Sequence, residues 1–225
     1  MAVASQILKK QFSMKINGFH DTTHTPFPMN NYLKYDNKFP LTSSPAIQIH
    51  FNGSDHWVTS AKYNGNVYFL DSIFMPITGN INTNLELQLV AMYGSPGREM
   101  EVTIPRLQQQ NNCNDCGLFA IANAVEISYN QYPWERRVLF MKDEMRGHLI
   151  KCFEEEKFTR FPSKANSYKS IKKRYISTTC SCGMPDSMDS LVGCKLCKLL
   201  WHKSCIASKD NIPNVCHQCL KVLEN

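Results

Sequence analysis

Apolar and polar positions recur along this chain with two periods, and each period marks an element. Ala46–Phe51 alternates with a period of two, as a β-strand does. After the turn residues Asn52-Gly53-Ser54-Asp55, His56–Lys62 and Val67–Asp71 read as two further strands joined through Tyr63-Asn64-Gly65-Asn66. Asn-Gly between strand formers signals a two-residue hairpin loop, so Tyr63 pairs with Asn66. Continuing that register sets His56 opposite Ile73, with Asp71 diagonal to it on the same face. Met1–Phe12 reads as an amphipathic helix with Ile7, Leu8 and Phe12 apolar, and residues 13–45 as loops and short extended pieces. A helix is expected over Asn84–Tyr93 after the loop Pro76–Asn82, with Asn82 and Glu86 as capping signals, and Val102-Thr103-Ile104 as a short strand. Leu118–Tyr129 is apolar on nearly all sides, which marks a central buried helix. Pro133 is expected to open another, Trp134–Phe153, with Leu139, Met145, Leu149 and Phe153 along one buried face. The pattern is that of an α+β domain.

Candidate chemistry gathers where the polar stretch Gln110-Asn111-Asn112-Cys113-Asn114-Asp115-Cys116-Gly117 meets the buried helix. A thiol at a helix N-terminus faces free backbone N–H groups and the positive end of the macrodipole, which favours the anion and makes a nucleophile. Asn114 and Asp115 are expected to cap the helix, and Gly117 lets a substrate approach the backbone. The Gln110 amide is placed to donate to a developing oxyanion. His56, oriented by Asp71, supplies a base. His50 is a rival base, on the opposite parity from Ile47 and Ile49 and without a carboxylate placed by a hairpin. Cys113 reads as a loop thiol, and His20 and His24 as surface histidines.

These residues carry a resemblance. His56-Trp57, Asp71 and Gln110-x-Asn112-x-x-Asp115-Cys116-Gly117 resemble the signature of the ubiquitin-like-protein-specific (sentrin/SUMO) cysteine proteases, relatives of adenovirus proteinase, over about Gln6 to Pro162. The resemblance implies a papain-like cysteine protease fold of the adenain type, with Cys116 attacking a carbonyl, His56 as base and then acid, Asp71 orienting it, and Gln110 lining the oxyanion hole. It also implies that Trp57 forms one wall of a tunnel gripping the Gly-Gly tail of a ubiquitin-like modifier, the partner in free or conjugated form. Relatives carry a Trp-containing segment before the helix matching Ala4–Phe12, and this chain starts after it. The similarity runs closest to protease-like proteins of transposable elements. Two other readings stay open: a catalytically inactive scaffold that binds a modifier or chromatin, and an acyltransferase of the His-acid-Cys order using coenzyme A.

Composition adds a second unit. With 225 residues and 43% hydrophobic content, the chain has material for one medium domain, expected over 1–162, plus something small. No run of eighteen apolar residues occurs, so no membrane partner is expected. Seven of the ten cysteines fall between Cys180 and Cys219 in pair spacings of metal ligands, which indicates an intracellular, reducing setting. Cys180-x-Cys182, Cys194-x-x-Cys197, His202-x-x-Cys205 and Cys216-x-x-Cys219 supply the ligands for two structural Zn²⁺, with no open coordination position. With the histidine fifth, residues 180–222 resemble a PHD finger, with a RING finger second. The resemblance implies a cross-brace in which Cys180, Cys182, His202 and Cys205 share one zinc and Cys194, Cys197, Cys216 and Cys219 the other. It also implies a histone tail or another protein peptide as partner, though Leu200 and Asn214 stand where an aromatic cage would want aromatics. Residues 163–179 read as a basic linker, with Lys164, Lys169, Lys172, Lys173 and Arg174 and no acid up to Arg174. They suit a nuclear import signal or a nucleic-acid contact, and a nuclear location.

Overall fold

A computed structural model describes residues 1–21, 41–73, 81–95, 97–135, 137–166, 171–209 and 212–223. The elements in order are α1 Ala2–Phe12, β1 Asn17–Gly18, β2 Ala46–Phe51, β3 Trp57–Tyr63, β4 Asn66–Leu70, α2 Thr83–Tyr93, β5 Met100–Pro105, α3 Cys116–Ser128, β6 Arg137–Phe140, α4 Lys142–Glu154, β7 Ser163–Asn166 and β8 Ile171–Ile176. The C-terminal region adds β9 Leu191–Gly193, β10 Leu200–His202, β11 Ile206–Lys209, β12 Ile212–Cys216 and α5 His217–Leu223. The architecture is mixed α+β.

One six-stranded sheet, ordered β1-β2-β3-β4-β5-β8, organises the body. Its centre is the expected hairpin: Tyr63 pairs with Asn66 and Thr59 with Leu70, antiparallel. Asn64 and Gly65 both have positive φ, 49° and 79°, the conformation of a two-residue type I′ loop that follows the strands' twist. β5 runs parallel to β4, and α2 makes the crossover that parallel pairing requires. Both faces of the sheet are covered. Ile47, Ile49 and Ala61 pack with α1 and the nearly all-buried α3, while Ala46, Val58, Val67 and Phe69 pack against α2. Because both faces are covered, the polar residues alternating along β2 and β3 are buried as well. Each meets a partner: Gln48 Nε2 donates to His20 O at 3.0 Å, and Thr59 Oγ1 to Ala120 O at 2.7 Å.

Four expectations need correction. Trp134–Phe153 is not one helix: Arg137–Phe140 pairs antiparallel with Ser163–Asn166, and the helix begins at Lys142. Val138-Leu139-Phe140 is a short apolar run whose period does not distinguish helix from strand, and its partner lies too far along the chain to be read locally. The stretch 163–179 is not simply a linker. Its Ile171–Ile176 lies along β5 in a six-residue antiparallel register and closes one edge of the sheet. Its cations are not all unpaired: Lys173 pairs with Glu101 at 2.8 Å and Arg174 with the 3% exposed Glu86 at 2.6 Å. Glu86 therefore does not cap α2. Asn82 does so alone, accepting from the Asn84 N–H at 2.8 Å. His24 and most of the loop Pro76–Asn82 lie outside the described residues. Among the described residues, no helix is long and apolar enough to cross a membrane.

Candidate active site and metal-ligand clusters

The expected turn Asn52-Gly53-Ser54-Asp55 between β2 and β3 is held by the side chain of its first residue. Asn52 Oδ1 accepts from the backbone N–H groups of Ser54, Asp55 and His56 at 2.9, 3.0 and 2.9 Å, and the Asn52 N–H donates to His56 O at 2.9 Å. Such side-chain mimicry of a backbone turn is what Asn does well, and the Asn-Gly-Ser-Asp run was its available signal. His56 is thus held by its own main chain before its ring makes any contact.

The ring then meets Asp71. His56 Nε2 lies 2.7 Å from Asp71 Oδ1, which also accepts from the Ile73 N–H at 2.7 Å. A carboxylate can only accept, so Nε2 carries a proton and Nδ1 holds the lone pair of the neutral ring. Nδ1 is buried with no hydrogen-bond partner. Burial pulls the imidazole's pKa down, but the hydrogen bond and charge of Asp71, together with the Cys116 side chain beside the ring, outweigh it and raise the value to about 9. Cys116 opens α3, is 6% exposed, and points Sγ towards Asp55 O at 3.9 Å, on the turn that carries His56.

The rival histidine is excluded by its surroundings. His50 is buried on the α2 face, with Nδ1 2.9 Å from Gln88 Oε1 and Nε2 2.6 Å from Ser60 Oγ. Burial holds its pKa down to about 4, offset only in part by Gln88.

The loop before Cys116 follows a second asparagine turn. Asn112 Oδ1 accepts from the N–H groups of Asn114 and Asp115 at 2.9 and 3.0 Å, and Asn112 Nδ2 donates to Asp115 Oδ2 at 2.6 Å. Asp115 is the N-cap residue by position, but its carboxylate faces Asn112 and Arg146 rather than the helix. The expected side-chain capping by Asn114 or Asp115 is therefore absent, and no side chain caps the first amides of α3. Gln110 is fixed at both ends of its amide, Oε1 accepting from Ser72 Oγ at 2.6 Å and Nε2 donating to Asn112 O at 2.6 Å. One N–H of that amide group remains for another acceptor.

Trp57 leans on Phe51, ring centroids 4.7 Å apart, and its other neighbour is the backbone after the thiol. A Cβ at Gly117 would stand in ordinary contact with Trp57 Cδ1, at 3.7 Å, and 2.9 Å from Cε at the flexible tip of Met1. Beyond His56 opens a cavity of about 440 Å³ whose lining includes Asn52, Asp55, His56, Asp71 and Cys113. A second hollow of about 310 Å³, bounded by Phe12, Ile16, Tyr63 and Tyr129, lies at the opposite end of α3 and contains none of these residues.

The His56–Asp71 pair predicts a pH-dependent stability. A histidine whose pKa is raised on folding contributes stability that is complete below its unfolded value, about 6.5, and is lost as pH climbs through about 9. Asp71→Asn is expected to lower unfolding free energy at about pH 6 by no more than about 3 kcal/mol, the deficit shrinking towards about pH 10. Denaturant melts of both proteins at several pH values measure the difference.

The C-terminal thiols form two groups, Cys180 with Cys182, His202 and Cys205, and Cys194 with Cys197, Cys216 and Cys219. Within each group the ligand atoms lie within 4.8 Å of one another. Their chemistry fits zinc. Cys197 and Cys216 sulfurs are 3.8 Å apart, matching the edge of about 3.8 Å that follows from tetrahedral Zn–S bonds of about 2.3 Å. His202 Nε2 donates to Pro185 O at 3.1 Å, which turns the lone pair of Nδ1 towards Cys182 Sγ, 3.3 Å away. Crowded thiols cannot all ionise unless a cation sits among them, and burial with neighbouring thiols pushes Cys182, Cys205 and Cys216 upward. The two groups interleave along the chain, and His217 belongs to neither.

No protein-family model matches the sequence, and no curated protein matches it. Solved structures to which the chain is similar include SUMO protease Ulp1 with its catalytic cysteine oxidised to a sulfonic acid, at 14% identity and a TM-score of 0.48, covering 69% of this chain and 77% of that one. Ulp1 with that cysteine as a sulfenic acid gives 15% identity and 0.47 over 68% and 75%. The C-terminal Ulp1 protease domain in complex with SMT3, the yeast ortholog of SUMO, gives 14% and 0.45 over 69% and 75%.

Proposed function

We propose that this chain is a thiol isopeptidase that cleaves after the C-terminal Gly-Gly of a ubiquitin-like modifier, of the SUMO kind, with a C-terminal module held by two structural zinc ions. The observation that carries the reading is the His56 ring, tied to Asp71 at 2.7 Å with its second nitrogen buried, unpartnered and beside Cys116. That nitrogen is free to exchange a proton with the sulfur.

The mechanism follows from these positions. Nδ1 of His56 takes the proton of the Cys116 thiol, and the resulting imidazolium, held by Asp71, and thiolate form the reactive pair. The thiolate attacks the carbonyl carbon, and the oxyanion is met by the free Gln110 N–H and the uncapped amides at the start of α3. His56 gives its proton to the leaving lysine amine, and the acyl group stays on sulfur as a thioester. Water, deprotonated by His56, then releases the modifier's carboxylate and restores the thiol. Trp57 lying against Gly117 narrows the approach to the sulfur, which suits a chain end without side chains. Zinc, when bound, supplies cross-links between chain segments and takes no part in the reaction.

The test is labelling. A modifier bearing a C-terminal vinyl sulfone or propargyl group is expected to attach to Cys116, located by peptide mass spectrometry. Failure to label with several modifiers, under conditions where a general alkylating agent does reach Cys116, would overturn the reading. Gln110→Ala is expected to lower kcat by about 10²- to 10³-fold with little change in KM, since its free N–H meets charge present only in the transition state. Steady-state cleavage of a modifier fusion gives both constants.

A further inference from the structure

Helix α2 touches the metal-ligand module on one side and the turn that carries His56 on the other. From the module, Met184 and Met188, 7% exposed each, pack with Cys182 against Leu87 and Ala91 of α2. Beside them Ser187 Oγ donates to Glu86, the buried acid that also takes Arg174 of β8. Met184 follows the ligand Cys182 by two residues, and the loop they share is closed when His202 donates to Pro185 O.

On the other side, two α2 side chains one helical turn apart reach the β2–β3 connection. Gln88, fully buried, donates through Nε2 to Phe51 O at 2.8 Å, and Asn84 donates through Nδ2 to Asn52 O at 3.2 Å. Phe51 and Asn52 are the residues from which the turn springs, and Asn52 alone holds the N–H groups of Ser54, Asp55 and His56. Asp55 in turn presents its carbonyl to Cys116 Sγ. The path from metal ligand to histidine is a run of contacts: Cys182 and Met184, α2, Asn52, His56.

We infer that α2 passes positional order from the C-terminal module to the His56 turn, which makes Asn84 and Gln88 positioning residues for His56 and Met184, Ser187 and Met188 their support. The inference rests on the proposed role of His56 only for its effect on turnover; the coupling itself is a property of the fold. The physical reason lies in the turn's construction. Its amides are held by one side chain, and that residue's main chain is anchored from outside by α2, so a small shift of α2 is felt at His56 without disturbing the sheet.

Hydrogen exchange on the full zinc-loaded chain, before and after chelation, tests this. Amides of Ser54, Asp55 and His56 are expected to exchange about tenfold faster or more once the metal is gone, while Ser60 and Ala61 in β3 and Phe119 in α3 keep their protection. Unchanged exchange at residues 54–56, with the module's own amides deprotected, would overturn the coupling. If chelation opens the whole chain, the zinc-loaded Met184→Ser/Met188→Ser variant decides by the same amides, with Co²⁺ absorption confirming intact metal sites. Asn84→Ala, which cuts the path past the module, is expected to loosen the same three amides with metal retained. Warhead labelling of Cys116 in the parent separates the two ideas. A parent that labels but shows no coupled exchange leaves the isopeptidase standing and removes the coupling; one that fails to label but shows coupled exchange does the reverse.

Discussion

Cys116→Ser is expected to fold normally and to cleave a modifier fusion at least about 10⁴-fold more slowly than the parent, with Cys116→Ala no better. The size follows from the chemistry: serine offers the same shape and a hydroxyl that is not ionised near neutral pH, so the attacking anion is lost while the surroundings stay put. Folding should be nearly unaffected. Sγ is buried beside the His56 ring and approaches Asp55 O at 3.9 Å, contacts that a serine hydroxyl can keep, so stability is expected to change by less than about 1 kcal/mol. His56→Ala should cost about as much as Cys116→Ala, and the double variant scarcely more than either, because a nucleophile and its base act as one unit. Cleavage kinetics of the two single variants and the double variant, with thermal melts as the folding control, read all of this. A His56→Ala protein within tenfold of the parent would remove the histidine from the mechanism, and an active Cys116→Ala would end the thiol route altogether.

The residues that the sequence made visible are those whose chemistry is local or whose geometry is set by a short turn. The His56–Asp71 contact could be anticipated because Asn64-Gly65 fixes the register of β3 against β4 and the side-chain period of two does the rest. His50 was set on the opposite parity from Ile47 and Ile49, and the structure finds it on the α2 face, boxed between Gln88 and Ser60. What stayed hidden depends on partners far along the chain. Arg174 and Lys173 look like solvent-facing charges until Glu86 and Glu101, some seventy to ninety residues earlier, are placed beside them, Glu101 by the β5–β8 pairing and Glu86 by α2. Val138-Leu139-Phe140 reads as part of a helix until Ser163–Asn166 is available to pair with it. What the side chains of Asn52 and Asn112 hold stayed hidden for a different reason. A polar turn residue is indistinguishable in sequence from one that faces water, and only the backbone path reveals that its oxygen collects two or three amides and thereby sets the angle of a histidine or a cysteine.

Removing metal is expected to unfold the C-terminal module outright while leaving the six-stranded sheet folded. Apart from its ligands and the contact of Met184, Ser187 and Met188 with α2, the module has little to hold it: three-residue strands β9 and β10, one further two-stranded pair with a register shift, and a small cluster around Trp201. Isolated two-stranded sheets are marginal in water, whereas a structural zinc contributes about 10–16 kcal/mol in zinc-finger peptides. With two sites, ligand bonds outweigh every other term in the module. Elemental analysis is expected to give two zinc ions per chain, falling to one when Cys194→Ala or Cys180→Ala opens one of the two groups. Because ligands bind as thiolates and neutral imidazole, each metal displaces protons, so affinity must weaken as pH falls and the module should shed zinc in acid before the sheet melts. Alkylation reports the event directly. Cys180, Cys194 and Cys216 are at most 1% exposed and should resist a thiol reagent until chelation, then react together with Cys182, Cys197, Cys205 and Cys219. Cys152, equally buried on α4 against Thr159 but outside both groups, is the internal control: its protection comes from packing in the body, and it should survive the chelator.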